Sequence, residues 1–198
     1  YRFRPHSAFS HLTGLGTDLI PDGVLVLNPV PEGETGEGGG THIATVFFRP
    51  RASRASEEFY ADSRYGELWV GVRPSLEEFE RMCGIPCAHL ETLPDVLAKD
   101  AGQLQIAMIS TSDSQAAAVV NQVREQAGID PDDAKKLDDL LEEATSELRL
   151  TKDDWEIEEM RKAVAATKEG FEEAIRSFPR AVKHFRGERV VELSLIHI

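Results

Sequence analysis

The cysteines of the stretch CGIPC are the first residues of this chain that could do chemistry. Cys83 and Cys87 are followed closely by His89, so three possible ligands of a soft metal ion lie near one another in sequence. A structural zinc site needs four ligands, usually from two separated pairs, and the chain contains only 2 cysteines. We therefore interpret Cys83 and Cys87 as small, half-buried side chains beside a turn, and we expect no metal in this chain.

Other metal-binding and nucleophile motifs are missing from the sequence. The 6 histidines include no H-x-x-x-H or H-E-x-x-H pair, and no serine lies in a G-x-S-x-G turn. The glycines of PEGETGEGGG do not open a helix, so they indicate a loop. One acidic group is interpreted as exposed positions of a helix, where acids complement the macrodipole: Asp132, Asp133, Asp138, Asp139, Glu142 and Glu143. The sequence predicts no catalytic residue in this chain.

Two positions could bind a ligand without reacting. Trp69 lies in ELWVGVRP beside Gly71 and Arg73, and a tryptophan next to an arginine can form a flat surface that stacks on a proline ring. The alternative is a core tryptophan at the end of a strand. Arg4 lies with Arg2 among aromatic residues; it either pairs with the acidic surface or lines a polar cleft that receives a peptide terminus.

Charge and composition limit the partners and the compartment. The formal net charge of −13 argues against a nucleic-acid partner, which would need clustered lysine and arginine. No stretch approaches the roughly 20 apolar residues that span a bilayer, so we expect no membrane contact. The low cysteine usage fits a reducing compartment, and we expect a cytoplasmic protein.

The elements that must position these residues follow a mixed α/β order. We predict strands over residues 8–13, 23–30 and 42–51, the last apolar enough to be buried on both faces of a sheet. The polar loop between the second and third strands suggests that they are antiparallel neighbours. GELWVGVRP predicts a short strand or turn, and residues 104–110 predict a buried strand.

Capping signals predict where the helices begin. Ser75 with Glu78 three residues later forms a capping box, and Asp130 followed by proline opens another helix. A long helix capped by Thr151 is predicted to end at Pro179. Its apolar residues recur three, four or seven positions apart: Ile157, Met160, Val164, Phe171, Ile175 and Phe178. Because such a stripe must pack on something large, we predict that a second domain begins here.

Five ordered motifs together resemble one family. YRFRPHSAFSHLTG is similar to the Y-x-[FY]-R-x-x-S-x-F-x-Y-L-T-G motif near the start of aminopeptidase P, although His11 replaces an aromatic residue. VLVLNP and TVFFRPR resemble the next two strands of that family, and ELWVGVRP resembles its W-x-G-x-R segment. LRLTKDDWEIEEMRKAVAATKEGF resembles its inter-domain junction and the first helix of its catalytic domain. The resemblance extends to about Glu192.

The resemblance implies an α/β fold with a mixed β-sheet and helices on both faces, followed by the first long helix of a truncated pita-bread domain. The expected boundaries are 1–148 for the N-terminal domain, without its first helix, and 149–192 for the start of the catalytic domain. Residues 193–198, LSLIHI, match nothing in the family. We interpret them as an artefactual tail, with a natural terminal strand as the alternative.

The function implied by the resemblance is that of an Xaa-Pro aminopeptidase, which releases the N-terminal residue of peptides with proline in second position. In that family a pair of Mn²⁺ ions is held by two Asp, one His and two Glu of the catalytic domain. None of these ligands is expected in this chain, which we predict to be inactive alone. The N-terminal domain helps to build dimers or tetramers and narrows the substrate mouth. By this likeness Trp69, Arg73 and Arg4 are candidate substrate-binding residues.

Two alternatives remain open on the sequence. A prolidase shares both domains but cleaves only dipeptides. A non-catalytic module, like the pseudo-peptidase domains of histone chaperones, keeps the architecture without the metals. Metal ligands in the parent protein would separate enzyme from module, and activity on tripeptides would separate the two enzymes.

Overall fold

The structure is a computed structural model of the chain, and its contacts divide the chain into two compact units, Tyr1–Arg149 and Leu150–Ile198. The residues that it describes are 4–16, 20–31, 40–52 and 54–196. Most of the predicted loop PEGETGEGGG, as well as Arg2 and the end of the LSLIHI segment, lies outside the described residues.

A mixed three-stranded sheet lies in the first unit. β1 (Val24–Pro29) pairs antiparallel with β2 (His42–Phe48), and β2 pairs parallel with β3 (Cys87–His89). The predicted mixed sheet is therefore confirmed, as is the antiparallel pairing of its first two strands. The last three residues of β2 are buried on both faces, which a central strand with neighbours on each side requires.

Helices complete the α/β fold of this unit, again as predicted. In chain order they are α1 (Ser7–Thr13), α2 (Glu58–Ala61), α3 (Glu67–Val70), α4 (Leu76–Cys83), α5 (Leu93–Asp100), α6 (Ser114–Gln126) and α7 (Pro131–Leu148). The predicted capping box is present: the Ser75 hydroxyl accepts from the Glu78 N–H at 3.2 Å, and the Glu78 carboxylate accepts from the Ser75 N–H at 2.9 Å. It directs α4 so that Phe79 packs on Phe48 with 4.9 Å between ring centroids.

The first predicted strand, residues 8–13, is wrong, because these residues form α1. His6 accepts a hydrogen bond from the Ala8 N–H through Nδ1 at 3.3 Å, and Gly14 ends the helix with φ 69°. Both ends are therefore satisfied by groups of the same segment, and Ala8 is buried. Alternating apolar residues favoured a strand, but local capping decided for a helix.

Residues 104–110 are also not a strand. The Ile106 carbonyl accepts from Arg124 Nη2 at 2.6 Å, and the Met108 N–H donates to Asp138 Oδ1 at 2.7 Å. Arg124 on α6 and Asp138 on α7 form a buried two-pronged ion pair at 2.6 and 3.0 Å. Side chains thus satisfy the backbone groups for which a sheet neighbour was expected.

Asp138 corrects a second expectation, since the acidic residues of α7 were all interpreted as exposed. Its side chain retains 12% exposure, whereas that of Asp139 retains 63%. The signal was present in the sequence: Arg124 follows Val120 by one helical turn, and both lie on the buried side of α6. A charged residue in the apolar stripe of one helix calls for an opposite charge from another.

The second unit contains α8 (Asp154–Ala181) and α9 (Gly187–Ile196), which pack on each other. α8 begins two residues later than predicted, because Asp153 and not Thr151 is its N-cap, with Glu156 completing a capping box. It also continues past Pro179, where a proline in the last turn removes only one hydrogen bond.

Two faces of α8 differ in side-chain size. The small buried residues are Gly170, Ala174, Ser177 and Ala181. The predicted apolar stripe is exposed at Met160, Val164, Phe171 and Ile175, each between 55% and 68%. Among the described residues, no helix combines the length and apolar character needed to cross a bilayer.

Candidate functional site

The segment between β2 and α4 carries two of the three predicted binding residues, Trp69 and Arg73, and we call residues 58–73 the tryptophan loop. Within it α3 forms a single helical turn bounded by Gly66 and Gly71, and not the strand or turn expected from the sequence. A Cβ at Gly66 would lie 2.4 Å from the Asp62 carbonyl oxygen, so only glycine permits this close approach. Gly71, at φ 85°, ends the turn in a conformation that other residues adopt rarely.

Trp69 is presented to solvent by this turn. Its side chain is 62% exposed, so Trp69 does not belong to the core of this unit. The indole N–H donates to the Tyr60 carbonyl oxygen at 2.8 Å, which orients the ring. Leu68 and Val72 beside it are 62% and 78% exposed. We call these three exposed apolar residues of one short stretch, Leu68, Trp69 and Val72, the apolar ridge.

Arg73 lies under the loop and is only 5% exposed. Its Nη2 donates to Glu58 Oε1 at 3.1 Å and its Nη1 donates to the Arg49 carbonyl oxygen at 3.2 Å. Glu58 also pairs with the Arg49 Nε at 3.2 Å. The guanidinium therefore ties the end of the tryptophan loop to α2 and to the residue after β2.

Tyr65 lies at the centre of three guanidinium groups. The guanidinium carbons of Arg49, Arg73 and Arg64 are 4.7, 5.4 and 5.6 Å from the centre of its ring. Its hydroxyl donates to Asp22 Oδ2 at 2.5 Å, and Arg64 donates to both oxygens of the same carboxylate at 2.7 and 3.1 Å. Asp22 belongs to the turn before β1, so the contact joins two segments distant in sequence.

The pKa values in this cluster shift for local reasons. Burial acts to raise the pKa of the Asp22 carboxyl, but hydrogen bonds from Arg64 and Tyr65 outweigh it, so the pKa lies below its ordinary value. Burial, and then the hydrogen bond to Asp22, raises the pKa of the Tyr65 hydroxyl. At neutral pH the carboxylate is therefore ionised and the phenol is protonated, as the hydrogen bond between them requires.

The charges around Tyr65 balance within the cluster. The carboxylate of Asp62 accepts the backbone N–H groups of Tyr65 and Arg64, which lower its pKa. Three cations thus face three anions: Arg49, Arg64 and Arg73 against Asp22, Glu58 and Asp62. Because these pairs join α2, Tyr65 and the end of the loop, the arrangement supports the loop.

The third candidate, Arg4, lies apart from this arrangement in the bonds that the structure describes. It is exposed in the segment that precedes α1. The hydrogen bonds and ion pairs of the tryptophan loop among the described residues do not include it. Trp69 and Arg73 are brought together by one loop, whereas Tyr65 and Asp22 were missed by the sequence analysis.

The cysteine pair forms a local hydrogen-bonded turn. Cys83 and Cys87 both donate to the Ile85 carbonyl oxygen, at 3.5 and 3.2 Å. Burial and the neighbouring Cys83 raise the pKa of the Cys87 thiol to about 12. His89 accepts the Glu91 N–H at 3.2 Å through Nδ1. In the part of the chain that the structure describes, no three His, Cys, Asp or Glu side chains come together as metal ligands.

Comparison with protein families identifies the first part of this chain. Residues 1–108 match the family described as "Aminopeptidase P, N-terminal domain". The match includes the mixed sheet, α1 to α5 and the whole tryptophan loop. No solved structure matches the chain.

Curated relatives extend this likeness into the second unit. The chain is 37% identical over 182 residues to Xaa-Pro aminopeptidase 2 of Streptomyces coelicolor. This aligned stretch covers 92% of this chain and 34% of that protein. The chain is 35% identical over 192 residues to Xaa-Pro aminopeptidase 1 of the same organism, covering 97% of this chain and 34% of that protein. The chain therefore spans about a third of the length of these relatives.

Proposed function

The chain belongs to the family of the aminopeptidase P N-terminal domain, and from this premise we propose that its parent protein is an Xaa-Pro aminopeptidase. The parent would hydrolyse the bond between an N-terminal residue and a following proline. Both kinds of relative carry the name Xaa-Pro aminopeptidase. The part described here would shape the substrate mouth and support assembly.

The observation that carries this proposal is the exposed indole of Trp69 on a loop held by the buried Arg73 and by the ion pair of Asp22 with Arg64. A 62% exposed tryptophan with a fixed N–H offers a flat apolar face, and a proline ring is a compact apolar partner that can stack on such a face. We therefore assign Trp69 to contact with the substrate. Arg73 would contribute through the loop that it supports, and Arg4 stays a prediction as an exposed cation for a peptide terminus.

The metal chemistry belongs outside this chain in our proposal. The family's pair of Mn²⁺ ions would supply an activated hydroxide and polarise the scissile carbonyl. The described residues do not fit such a pair, since no three potential ligands come together in them. In the parent protein the ions would be held by the part that corresponds to the two thirds of the relatives' length not spanned by this chain. The 198-residue chain alone should release no residue from an Xaa-Pro peptide with added Mn²⁺.

The domain boundaries are part of the same proposal. Residues 1–148 would be the N-terminal domain, residues 149–192 the start of the pita-bread domain, and 193–198 a segment foreign to the family. The apolar stripe of α8 would then pack against the remainder of the catalytic domain. A cytoplasmic location stays a prediction from the low cysteine usage.

Assembly into a dimer or tetramer is a further part of the proposal. The apolar ridge of Leu68, Trp69 and Val72 supports it, because exposed apolar residues in one patch are typical of interaction surfaces. Trp69 would reach the substrate pocket of a neighbouring subunit. Light scattering of the full-length parent tests this: a strict monomer that retains full activity would contradict it.

Peptide hydrolysis by the full-length parent tests the activity. We expect release of the first residue from Xaa-Pro-Xaa tripeptides, with loss of activity after chelation and recovery with Mn²⁺. The Trp69→Ala change should raise KM for these peptides about tenfold, because one stacked ring contributes roughly 1.4 kcal/mol. Met82→Ala, at an equally exposed apolar residue outside the tryptophan loop, is the matched control and should leave KM nearly unchanged.

The alternative functions give different results in the same assay. Hydrolysis of Xaa-Pro dipeptides alone would indicate a prolidase. No hydrolysis of any proline peptide, with or without Mn²⁺, would indicate a binding module without catalysis. Activity that is indifferent to Trp69→Ala would keep the enzyme but remove Trp69 from its substrate site.

A further inference from the structure

The turn before β1 contains a backbone outlier whose side chain reaches the tryptophan loop. Asp22 has φ 57°, the left-handed conformation that non-glycine residues adopt only rarely. Aspartate tolerates this conformation better than most residues because of its short polar side chain. An outlier of this kind persists where surrounding contacts hold it, and such positions often carry function.

The contacts that hold Asp22 come from the entry to α3. Arg64 donates two hydrogen bonds to its carboxylate, at 2.7 and 3.1 Å, and Tyr65 donates a third at 2.5 Å. We call Asp22, Arg64 and Tyr65 the Asp22 cluster. Tyr65 is followed directly by Gly66, the N-cap of α3. The cluster therefore fixes the chain immediately before the helical turn that carries Trp69.

The other contacts on either side of α3 also hold the tryptophan loop in place. The backbone N–H groups of Arg64 and Tyr65 donate to Asp62 Oδ1 at 2.8 and 3.0 Å, so the backbone of both residues is fixed as well. At the exit, Arg73 is buried and tied to Glu58. Trp69 between these ends is 62% exposed and bonded through its indole N–H to a loop carbonyl. Its position thus depends on how firmly the two ends are held.

A ligand-binding role fits the Asp22 cluster less well than a positioning role. Every oxygen of the Asp22 carboxylate already accepts from Arg64 or Tyr65. The three cations around Tyr65 face three carboxylates, so no net positive charge remains for an anion. What the cluster does is connect the turn at Asp22 to a loop 43 residues away in sequence.

We propose that Tyr65 is a positioning residue: its hydroxyl, bonded to the Asp22 carboxylate, holds the tryptophan loop so that Trp69 stands in one orientation. The role in catalysis rests on the proposed function, since it acts through the contact of Trp69 with substrate. The positioning itself concerns Trp69 alone and is measurable without any activity.

Trp69 fluorescence in the 198-residue chain provides the first test. The chain contains 2 tryptophans, and Trp155 is 71% exposed on α8 of the second unit, so Trp155→Phe leaves Trp69 as the only reporter. In that background Tyr65→Phe keeps the ring among the guanidinium groups and removes only the hydroxyl. We expect the acrylamide quenching constant of Trp69 to rise and its fluorescence anisotropy to fall.

Two further variants make this result interpretable. Asp22→Asn keeps a residue that tolerates the left-handed backbone but weakens the hydrogen bonds that Arg64 and Tyr65 donate to this side chain. It should raise the quenching constant of Trp69 and lower its anisotropy, as Tyr65→Phe does. Tyr60→Phe removes only the hydroxyl of an exposed ring in the same loop and keeps the backbone carbonyl that accepts from the Trp69 indole. It should leave the quenching and anisotropy of Trp69 unchanged. If Trp69 quenching and anisotropy are the same in Tyr65→Phe as in Tyr60→Phe, the inference is overturned.

Kinetics of the full-length parent provide the second test. Tyr65→Phe should raise KM for Xaa-Pro-Xaa peptides by about tenfold or less with kcat unchanged, as expected when binding alone is lost. A merely structural role would lower the amount of folded enzyme, and hence the apparent kcat, at constant KM and with unaltered Trp69 fluorescence, and that result would contradict the inference. Altered Trp69 fluorescence with unaltered KM would support the positioning role and refute instead the substrate role of Trp69.

Discussion

Replacing Asp138 by alanine should destabilise the first unit far more than the same change at Asp139, its neighbour in sequence. Asp138 accepts two hydrogen bonds from Arg124, at 2.6 and 3.0 Å, and one from the Met108 N–H at 2.7 Å. Both members of the ion pair are buried, with side-chain exposures of 6% and 12%. Asp139 pairs instead with Lys135 on the surface of α7.

The expected size of the effect follows from the groups left behind. The Asp138→Ala change leaves the Arg124 guanidinium buried without its counter-charge, and removal of one member of a buried ion pair costs about 3–5 kcal/mol. The Met108 N–H also loses its acceptor. In a domain of roughly 150 residues, each kcal/mol lost from the free energy of unfolding lowers the thermal midpoint Tm by about 3 °C. The Tm should therefore fall by about 10 °C or more.

Urea denaturation followed by circular dichroism measures this difference. We expect the midpoint to shift for Asp138→Ala without a change in slope, and to remain close to that of the unaltered chain for Asp139→Ala. The double change Arg124→Met with Asp138→Leu should recover much of the loss, because apolar residues of similar volume can replace a buried pair. A loss below about 1 kcal/mol for Asp138→Ala, or equal losses at the two positions, would refute the reasoning.

Three further predictions follow from the packing and the charges. Phe79→Ala should lower the free energy of unfolding by about 3–5 kcal/mol in urea titrations, because Phe79 is fully buried against Phe48. Gly187→Ala should destabilise the second unit by about 1–3 kcal/mol, since a Cβ there would lie 2.3 Å from the Ala181 carbonyl oxygen. The pKa of Asp22 lies below its ordinary value, so its contribution to stability is complete above about pH 4 and is lost as pH falls through the lowered pKa. The stability difference between the unaltered chain and Asp22→Asn should therefore shrink on acidification.

Each of these predictions has a matched control. Met82→Ala removes a large side chain from an exposed position of the same helix as Phe79, and it should cost little. Phe171→Ala removes an exposed ring in the second unit and should leave that unit's stability nearly unchanged. If the difference in free energy of unfolding between the unaltered chain and Asp22→Asn stays constant from pH 7 to pH 3, the pKa of Asp22 is not lowered by folding.

Local signals explain which parts of the fold were predictable. The capping box of Ser75 and Glu78 involves atoms three residues apart, so its geometry is written in the sequence itself. The same holds for the strand β2, whose run of apolar residues is typical of a central strand. α1 was mispredicted although its signals are local, because the Nδ1 of His6 is an uncommon cap.

The candidate site was predictable only in part. ELWVGVRP singled out Trp69 and Arg73 as residues of interest, and its likeness to a family motif supplied the rest of that expectation. That the indole is exposed and the guanidinium buried depends on how the loop folds over α2. Residue types alone do not separate a tryptophan that binds from one that fills a core.

By itself the sequence determined the family, the antiparallel pairing of β1 with β2, and the starts of α4 and α7, since these depend on motifs, periodicity and contacts within one turn. The tertiary structure alone decided that Asp138 is buried while Asp139 is not, and that Tyr65 meets Asp22 across 43 residues. The reason is physical. Whether a charge is paired or solvated depends on what surrounds it after folding, and no local pattern of residue types records that environment.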